Sequence, residues 1–199
     1  MTRRSHAERT AQTRAKVKGA VVDSIADVGF QRTTAAEIVR RAGVTWGAVQ
    51  HHFGGKDGIL RAVLDDSFDH FAALLADAPL EGASLEKRVT LFVDRAWEHF
   101  GSPRYRSTFE ILLHDSGQTD GDPERTWTGE MLDAWNRVWS AFFDPGTLSR
   151  RRRVVLQRYT ISVLSGLASM QVLEGEPARP PTAELALLKE TLVRALEGG

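Results

Sequence analysis

The chain has 199 residues, of which 42% are hydrophobic and none is cysteine, a composition that supports a packed core and excludes disulfides, thiolate metal sites and cysteine nucleophiles. It contains neither a run of about 18 apolar residues nor the apolar segment of a signal peptide, so we expect a cytoplasmic protein without membrane contact. The net charge is zero, but residues 1–61 carry +6 and the remainder −6; unless this asymmetry is chance, it predicts that the first part of the chain meets a polyanion.

Helical spacing of apolar residues runs through almost the whole chain. A first helix is predicted over about 9–28, ended by Gly29 in a left-handed conformation, with Phe30 packing back onto the helix. The second helix opens at Thr34, and the Thr34-Ala-Ala-Glu37 sequence has the form of a capping box, in which the hydroxyl and the carboxylate each accept a free N–H.

A turn containing Gly43 separates the second helix from a third, predicted over about 46–52 with Thr45 as its N-cap. The fourth helix is expected to run from Lys56 to about Asp77. Two short helices joined by such a turn form a helix-turn-helix pattern, whose second helix lies in the major groove of DNA.

The sequence TTAAEIVRRAGVTWGAVQHHFGGKDGIL resembles the DNA-binding signature of the TetR family of bacterial transcriptional regulators, and the resemblance runs from about Val21 through Leu64. It rests on Gly29-Phe30, Thr33-Thr34, Ala42-Gly43-Val44, Gly47, Phe53 and Lys56. The resemblance implies an all-α fold: an N-terminal three-helix helix-turn-helix DNA-binding domain, residues 1–61, then a C-terminal helical ligand-binding and dimerisation domain, residues 62–199. The chain departs from the usual pattern at Val39, Gln50 and His51.

DNA contact is predicted at the N-termini of the helices of this motif and along its third helix, by Thr34, Thr45, Trp46, Gly47, Ala48, Gln50, His51 and Lys56. Gln50 is the candidate base reader, because its amide pairs bidentately with adenine. Trp46 is expected to be exposed and to meet a sugar or a thymine methyl group, the alternative being contact with the first helix. Arg3, Arg4 and Arg9 form either a flexible DNA-contacting arm or a solvated tail.

The adjacent His51 and His52 raise the question of a metal site. Two ligands on one helix need a spacing of four residues, whereas adjacent side chains point about 100° apart. We therefore predict no metal, no cofactor and no catalytic residue. His51 is expected to face phosphate, and His52 to occupy a half-buried position against the first helix.

Further helices are predicted near 84–100, 104–114 and 124–143. The family resemblance implies that these helices enclose a pocket for a small-molecule effector, with apolar walls and a few polar anchors. Core packing is the alternative for any one of the candidate lining residues, which are Trp97, Phe100, Tyr105, Phe109, Glu110, His114, Trp127, Met131, Trp135 and Met170.

The last two helices, predicted over 148–174 and 182–197, carry apolar stripes. The first stripe comprises Val155, Tyr159, Val163, Leu167 and Met170, and the second Leu185, Leu188, Leu192 and Leu196. Two such helices from each protomer predict a homodimer with a four-helix interface, which is where the family dimerises. The run Arg150–Arg153 is either a second nucleic-acid patch or a solvated face that pairs with acids such as Asp144.

These patterns together predict a ligand-responsive dimeric regulator, and the resemblance implies a repressor released from a palindromic double-stranded operator by a small apolar or amphipathic effector. An enzyme with an accessory DNA-binding head would need a nucleophile–base pair or a metal constellation in residues 80–199, and none is found there. A sequence-nonspecific architectural DNA protein is disfavoured by the acidic remainder of the chain.

Overall fold

The computed structural model describes residues 5–115, 127–143, 148–174 and 179–198, and all regular structure in these segments is helical, as predicted. The nine α-helices of this part of the chain are α1 (His6–Val28), α2 (Ala35–Ala42), α3 (Trp46–Phe53), α4 (Lys56–Ala76), α5 (Leu85–Phe100), α6 (Pro103–Asp115), α7 (Trp127–Phe142), α8 (Arg150–Glu174) and α9 (Thr182–Glu197). A single 3₁₀ turn, Phe30–Arg32, lies between α1 and α2. None of the described helices has the length and apolar character that crossing a membrane requires.

Contacts divide the chain into two compact units. The first unit comprises residues 1–68 and 103–122, so α6 belongs to it. The second unit comprises residues 69–102 and 123–199. The predicted domain boundary after residue 61 stays a prediction.

The start of α1 differs from its prediction. The Ser5 hydroxyl accepts the Glu8 N–H at 3.2 Å, and the Glu8 carboxylate accepts the Ser5 N–H at 2.7 Å, a reciprocal cap that begins the helix at His6. Arg9 therefore lies within α1, so neither a flexible arm nor a solvated tail describes it. Arg3 and Arg4 lie outside the described residues.

The core of the first unit joins the inner faces of its helices. Phe30, just after α1, is buried. Gly29 has the predicted positive φ, 81°, but its ψ of 162° is extended, whereas a left-handed helical conformation was predicted. Each large apolar side chain buried here contributes about 1.5–3 kcal/mol. The buried set includes Val17, Val21, Ile25, Ile38, Ala42, Val49, Ile59, Val63 and Leu64.

The junction between α3 and α4 is a backbone contact. Gly54 ends α3 with φ 74°, and its N–H donates to the Gln50 carbonyl at 2.9 Å. A Cβ atom on Gly58 would lie 1.8 Å from the Phe53 carbonyl oxygen. Because no side chain fits in that space, glycine sets the distance between the two helices.

In the second unit, the Phe92 ring of α5 makes edge contacts with four aromatic rings at centroid distances of 5.2–5.7 Å. Three belong to α7 and one to the residue after it: Trp135, Trp139, Phe142 and Phe143. Helix α9 packs against α5, and Lys189 of α9 forms an ion pair with Asp94 of α5.

The leucine stripe of α9 is a correction to the predicted dimer interface. Leu185, Leu188, Leu192 and Leu196 are all buried within one protomer. The apolar periodicity was right, but the surface that covers it is intramolecular. In contrast, Val155, Tyr159 and Met170 of the α8 stripe are exposed.

The arginine run at the start of α8 has one defined side-chain contact among the described residues. Arg152 donates to the Ala195 carbonyl near the end of α9 at 2.9 Å. The predicted pairing with Asp144 lies outside the described residues. Because Ala195 lies in the last turn of α9, the Arg152 guanidinium complements the partial negative charge of the last carbonyl groups of that helix.

Candidate nucleic-acid interface

The helix-turn-helix is built by two N-caps and one glycine. The Thr34 hydroxyl accepts the Glu37 N–H at 3.2 Å, and the Thr45 hydroxyl accepts the Ala48 N–H at 3.3 Å. Between these caps, Gly43 has φ 64° and ψ 38°, the left-handed conformation that glycine adopts without steric cost. The predicted order of cap, short helix, glycine turn and capped second helix is confirmed.

Only half of the predicted capping box forms. The Glu37 carboxylate accepts charge-assisted hydrogen bonds from Arg40 and Arg41, while the Thr34 N–H donates to the Arg32 carbonyl at 3.0 Å. Two guanidinium groups attract a carboxylate more strongly than one neutral N–H, which explains the difference. These bonds, that to Arg40 above all, lower the pKa of Glu37 to about 2.

Arg41 ties the motif to the first helix. Its guanidinium also binds Asp27 of α1, and the hydrogen bonds to Asp27 and then Glu37 raise the pKa of Arg41. Helix α2 is therefore held against α1 by a polar contact at its edge as well as by the apolar core beneath it.

The outer surface of α3 presents the side chains predicted to read DNA. Trp46 keeps 37% of its surface exposed, which confirms its predicted exposure. Gln50 lies one helical turn further on and is also exposed. Thr34, Thr45, Gly47 and His51 are also exposed, and Ala48 is half-buried. Val49 lies about 60° round the helix from Trp46 and about 100° from Gln50, and it is packed in the core with no exposed surface.

The C-terminal end of α3 is fixed by a basic residue of α1. Arg14 donates to the His52 carbonyl, and its guanidinium lies 4.4 Å from the centre of the Phe53 ring. His52 is half-buried, as predicted, and His51 is exposed. Among the described residues, no group of three or more His, Asp or Glu side chains is placed to hold a metal ion.

Lys56 has a partner that the sequence did not indicate. Its ammonium nitrogen lies 5.1 Å from the centre of the Phe30 ring, a cation–π contact. The same phenylalanine donates its N–H to the Glu110 carboxylate at 2.9 Å and meets the His114 ring at 4.5 Å. We name Phe30, Lys56, Glu110 and His114 the Phe30 junction. Sequence reasoning missed it because 80 residues separate Phe30 from Glu110.

Comparison with known proteins places this motif in a family. The model for bacterial regulatory proteins of the tetR family matches residues 20–63. The HTH-type transcriptional regulator BetI 1 of Chromohalobacter salexigens is 43% identical over 136 residues, which is 68% of this chain and 55% of that relative. Residues 20–63 belong to the TetR family. The chain spans about half the length of this curated relative.

The overall fold of this chain is also found in solved structures. The multidrug binding protein EbrR, complexed with imidazole, has a TM-score of 0.66 at 19% identity, over 98% of this chain and 96% of that one. FadR from Bacillus subtilis, in complex with stearoyl-CoA, has a TM-score of 0.66 at 16% identity, over 92% of this chain and 96% of that one. At these identities the comparison shows a shared fold.

The residues predicted to line an effector pocket divide between the two compact units of the chain. Tyr105, Phe109, Glu110 and His114 lie on α6 in the first unit. Tyr105 is buried and stacks on Phe109 at 6.0 Å, while Glu110 and His114 belong to the Phe30 junction.

The other candidates lie in the second unit. Trp135 is buried and Phe100 lies 6.3 Å from it, whereas Trp97 borders Gly101 at the end of α5. Met170 is exposed on α8. The side chains of Trp127 and Met131 lie outside the described residues. The pocket assignment therefore stays a prediction.

Proposed function

We propose that this protein is a dimeric, ligand-responsive transcriptional regulator that binds a palindromic operator and is released by a small apolar or amphipathic effector. One observation carries the DNA-binding part: α3 is capped, firmly seated through Val49, and turns Trp46 and Gln50 outward together. The exposed part of Trp46 and the exposed amide of Gln50 are available to a molecule outside the protein. Both groups suit the edges of bases in a major groove.

The roles of the remaining contacts follow from charge and size. Thr34 and Thr45 stand at helix N-termini, where free N–H groups and the helix dipole attract phosphate. Gly47 and Ala48 let the backbone approach DNA closely. His51 and Lys56 supply hydrogen bonds or charge to the phosphates, within a first third of the chain whose net charge is +6.

Dimerisation is proposed through α8, with a smaller part for α9. The α8 side chains Val155, Tyr159 and Met170 are exposed and apolar, as is Leu187 of α9. An exposed apolar surface of this kind is typical of a protein–protein interface. A two-fold dimer presents two copies of α3, which predicts two operator half-sites in inverted orientation.

Effector response requires a path from the ligand to the recognition helix. Within the first unit, two helices contact the DNA-binding segment. The first turn of α4 meets α3 at Gly58. Helix α6 meets α1 where Ser107 donates to the Val22 carbonyl at 3.0 Å, and it meets the 3₁₀ turn where Glu110 accepts from Phe30. Coupling of about 1–3 kcal/mol would change operator affinity roughly 5–150-fold. That FadR was solved with stearoyl-CoA supports a small-molecule effector for this fold.

A gel-shift assay with the upstream region of the protein's own gene tests the proposal. Specific binding should exceed binding to random duplex by about 10³-fold or more at about 0.15 M salt. Equal affinity for both duplexes would refute sequence-specific regulation.

Because the proposed target is chromosomal DNA, we propose that the protein acts in the cytoplasm.

A further inference from the structure

Two hydrogen-bond donors of the second unit are buried without a partner among the residues that the structure describes: Nε1 of Trp135 and Nε2 of Gln157. We propose that these two donors bind the effector, and that the effector is an uncharged, mainly aromatic molecule with a carbonyl oxygen as hydrogen-bond acceptor. This inference rests on the proposed function, since it names the ligand class of the regulator's effector site.

The indole of Trp135 is set among aromatic rings. It stacks on Phe71 with a centroid distance of 5.1 Å and an interplanar angle of 5°, and Phe92 and Phe100 meet it edge-on. Only 4% of Trp135 is exposed. A buried indole N–H normally has an acceptor, because leaving it unpaired costs free energy that apolar contacts do not return. Aromatic rings around a single unpaired donor suit a flat ligand that carries an acceptor.

Gln157 shows the same feature on a second helix. It lies on α8 with 5% of its surface exposed, between Leu156 and Thr160, which are also buried. The Thr160 hydroxyl donates to the Leu156 carbonyl at 2.8 Å, so the neighbouring polar group is satisfied within the helix. Helices α7 and α8 both pack on α5. A leucine would fill the Gln157 position without the desolvation cost, whereas the buried amide is costly unless a ligand pairs with it.

The charge of the surroundings selects an uncharged acceptor. Among described residues of the second unit, the buried polar side chains are His99, Gln157 and Thr160, with no lysine or arginine. Half-buried Arg88 and Arg95 donate instead to backbone carbonyl groups. A ligand carboxylate would be buried without a fixed cation, which is unfavourable. A ketone, ester or amide oxygen accepts from neutral donors without that cost.

The binding test uses the full chain and three probes of matched size: acetophenone, ethylbenzene and benzoate. Calorimetric titration should show acetophenone binding about tenfold more tightly than either other probe, the factor that corresponds to about 1.4 kcal/mol. Trp135→Phe and Gln157→Leu should each reduce this preference to roughly threefold or less. Trp139→Phe, which changes another buried tryptophan of α7, should retain it. Absence of binding, a preference for benzoate, or a preference unchanged in both variants would overturn the proposal.

A second measurement needs no ligand. Gln157→Leu should raise the melting temperature by roughly 2–4 °C, because it removes an unpaired buried donor. Gln171→Leu, at a half-buried position of the same helix, is the control and should not raise the melting temperature. A fall in the melting temperature on Gln157→Leu would contradict the assignment. Failure of the operator gel shift, with the probe preference intact, would instead refute the regulatory function and leave this site standing.

Discussion

The hydrogen bond between Phe30 and Glu110 gives a test of how α6 supports the helix-turn-helix. Glu110→Ala removes the carboxylate that accepts the Phe30 N–H at 2.9 Å. Hydrogen bonds to charged groups contribute about 1.5–3 kcal/mol. Since 30% of the Glu110 side chain is exposed and water replaces part of the bond, we expect a loss of about 1–2 kcal/mol.

For a chain of this length, each kcal/mol lowers the melting temperature by roughly 2–4 °C, so Glu110→Ala should melt about 2–8 °C below the wild type. Thermal unfolding followed by circular dichroism measures this shift. Arg106→Ala is the matched control, because its nitrogen lies 3.9 Å from the same carboxylate and half of its side chain is exposed. Such an exposed pair contributes at most about 1 kcal/mol.

Glu110→Gln separates charge from hydrogen bonding. The glutamine oxygen still accepts the Phe30 N–H, so this variant should melt between the wild type and the alanine variant. Equal melting temperatures for Glu110→Ala and the wild type would refute the reasoning. An equal fall in melting temperature for Arg106→Ala would show that Glu110 stabilises the fold through its exposed ion pair rather than through the Phe30 N–H.

Three further predictions concern the helix-turn-helix. Gln50→Ala should cost about 1–3 kcal/mol at one operator position and relax specificity there, as measured by gel shifts on a panel of single-base operator variants; uniform weakening would contradict base reading. Lys56→Ala should instead weaken binding to all duplexes alike and reduce the salt slope by about one unit, whereas an unchanged slope would assign Lys56 to the Phe30 ring alone. Glu37 should make the free energy of unfolding depend on pH, because its pKa in the folded protein, about 2, lies below the usual 4.5. Its stabilising contribution is complete above about pH 4.5 and is lost as the pH falls towards 2. Urea unfolding across this range measures the loss, and Glu37→Gln should remove that part of the pH dependence.

Features determined by local sequence were predictable from the residues alone. The N-caps at Thr34 and Thr45, the turn at Gly43 and the bounds of most helices depend on contacts within four residues, which spacing and residue type reveal. That Trp46 and Gln50 share one face of α3 follows from their spacing of four residues.

Features that depend on partners distant in sequence were not predictable. The α9 leucines show that periodicity identifies an apolar face without identifying what covers it, since a helix of the same chain and a second copy satisfy the same pattern. The Glu37 carboxylate could accept either a backbone N–H or two guanidinium groups, and it accepts the guanidinium groups because those charge-assisted bonds are stronger. Glu110 and His114 were assigned to a ligand, but α6 brings them to Phe30.

The contact between Gly58 and the Phe53 carbonyl limits how this protein can evolve new operators. Every substitution at Gly58 adds at least a Cβ atom, which would lie 1.8 Å from that oxygen and force the recognition helix away from α4. Mutation at this position therefore gives no gradual series of helix orientations. A lineage that acquires a new operator must do so by exchanging exposed side chains of α3, such as Trp46 and Gln50, on a helix whose position is inherited unchanged.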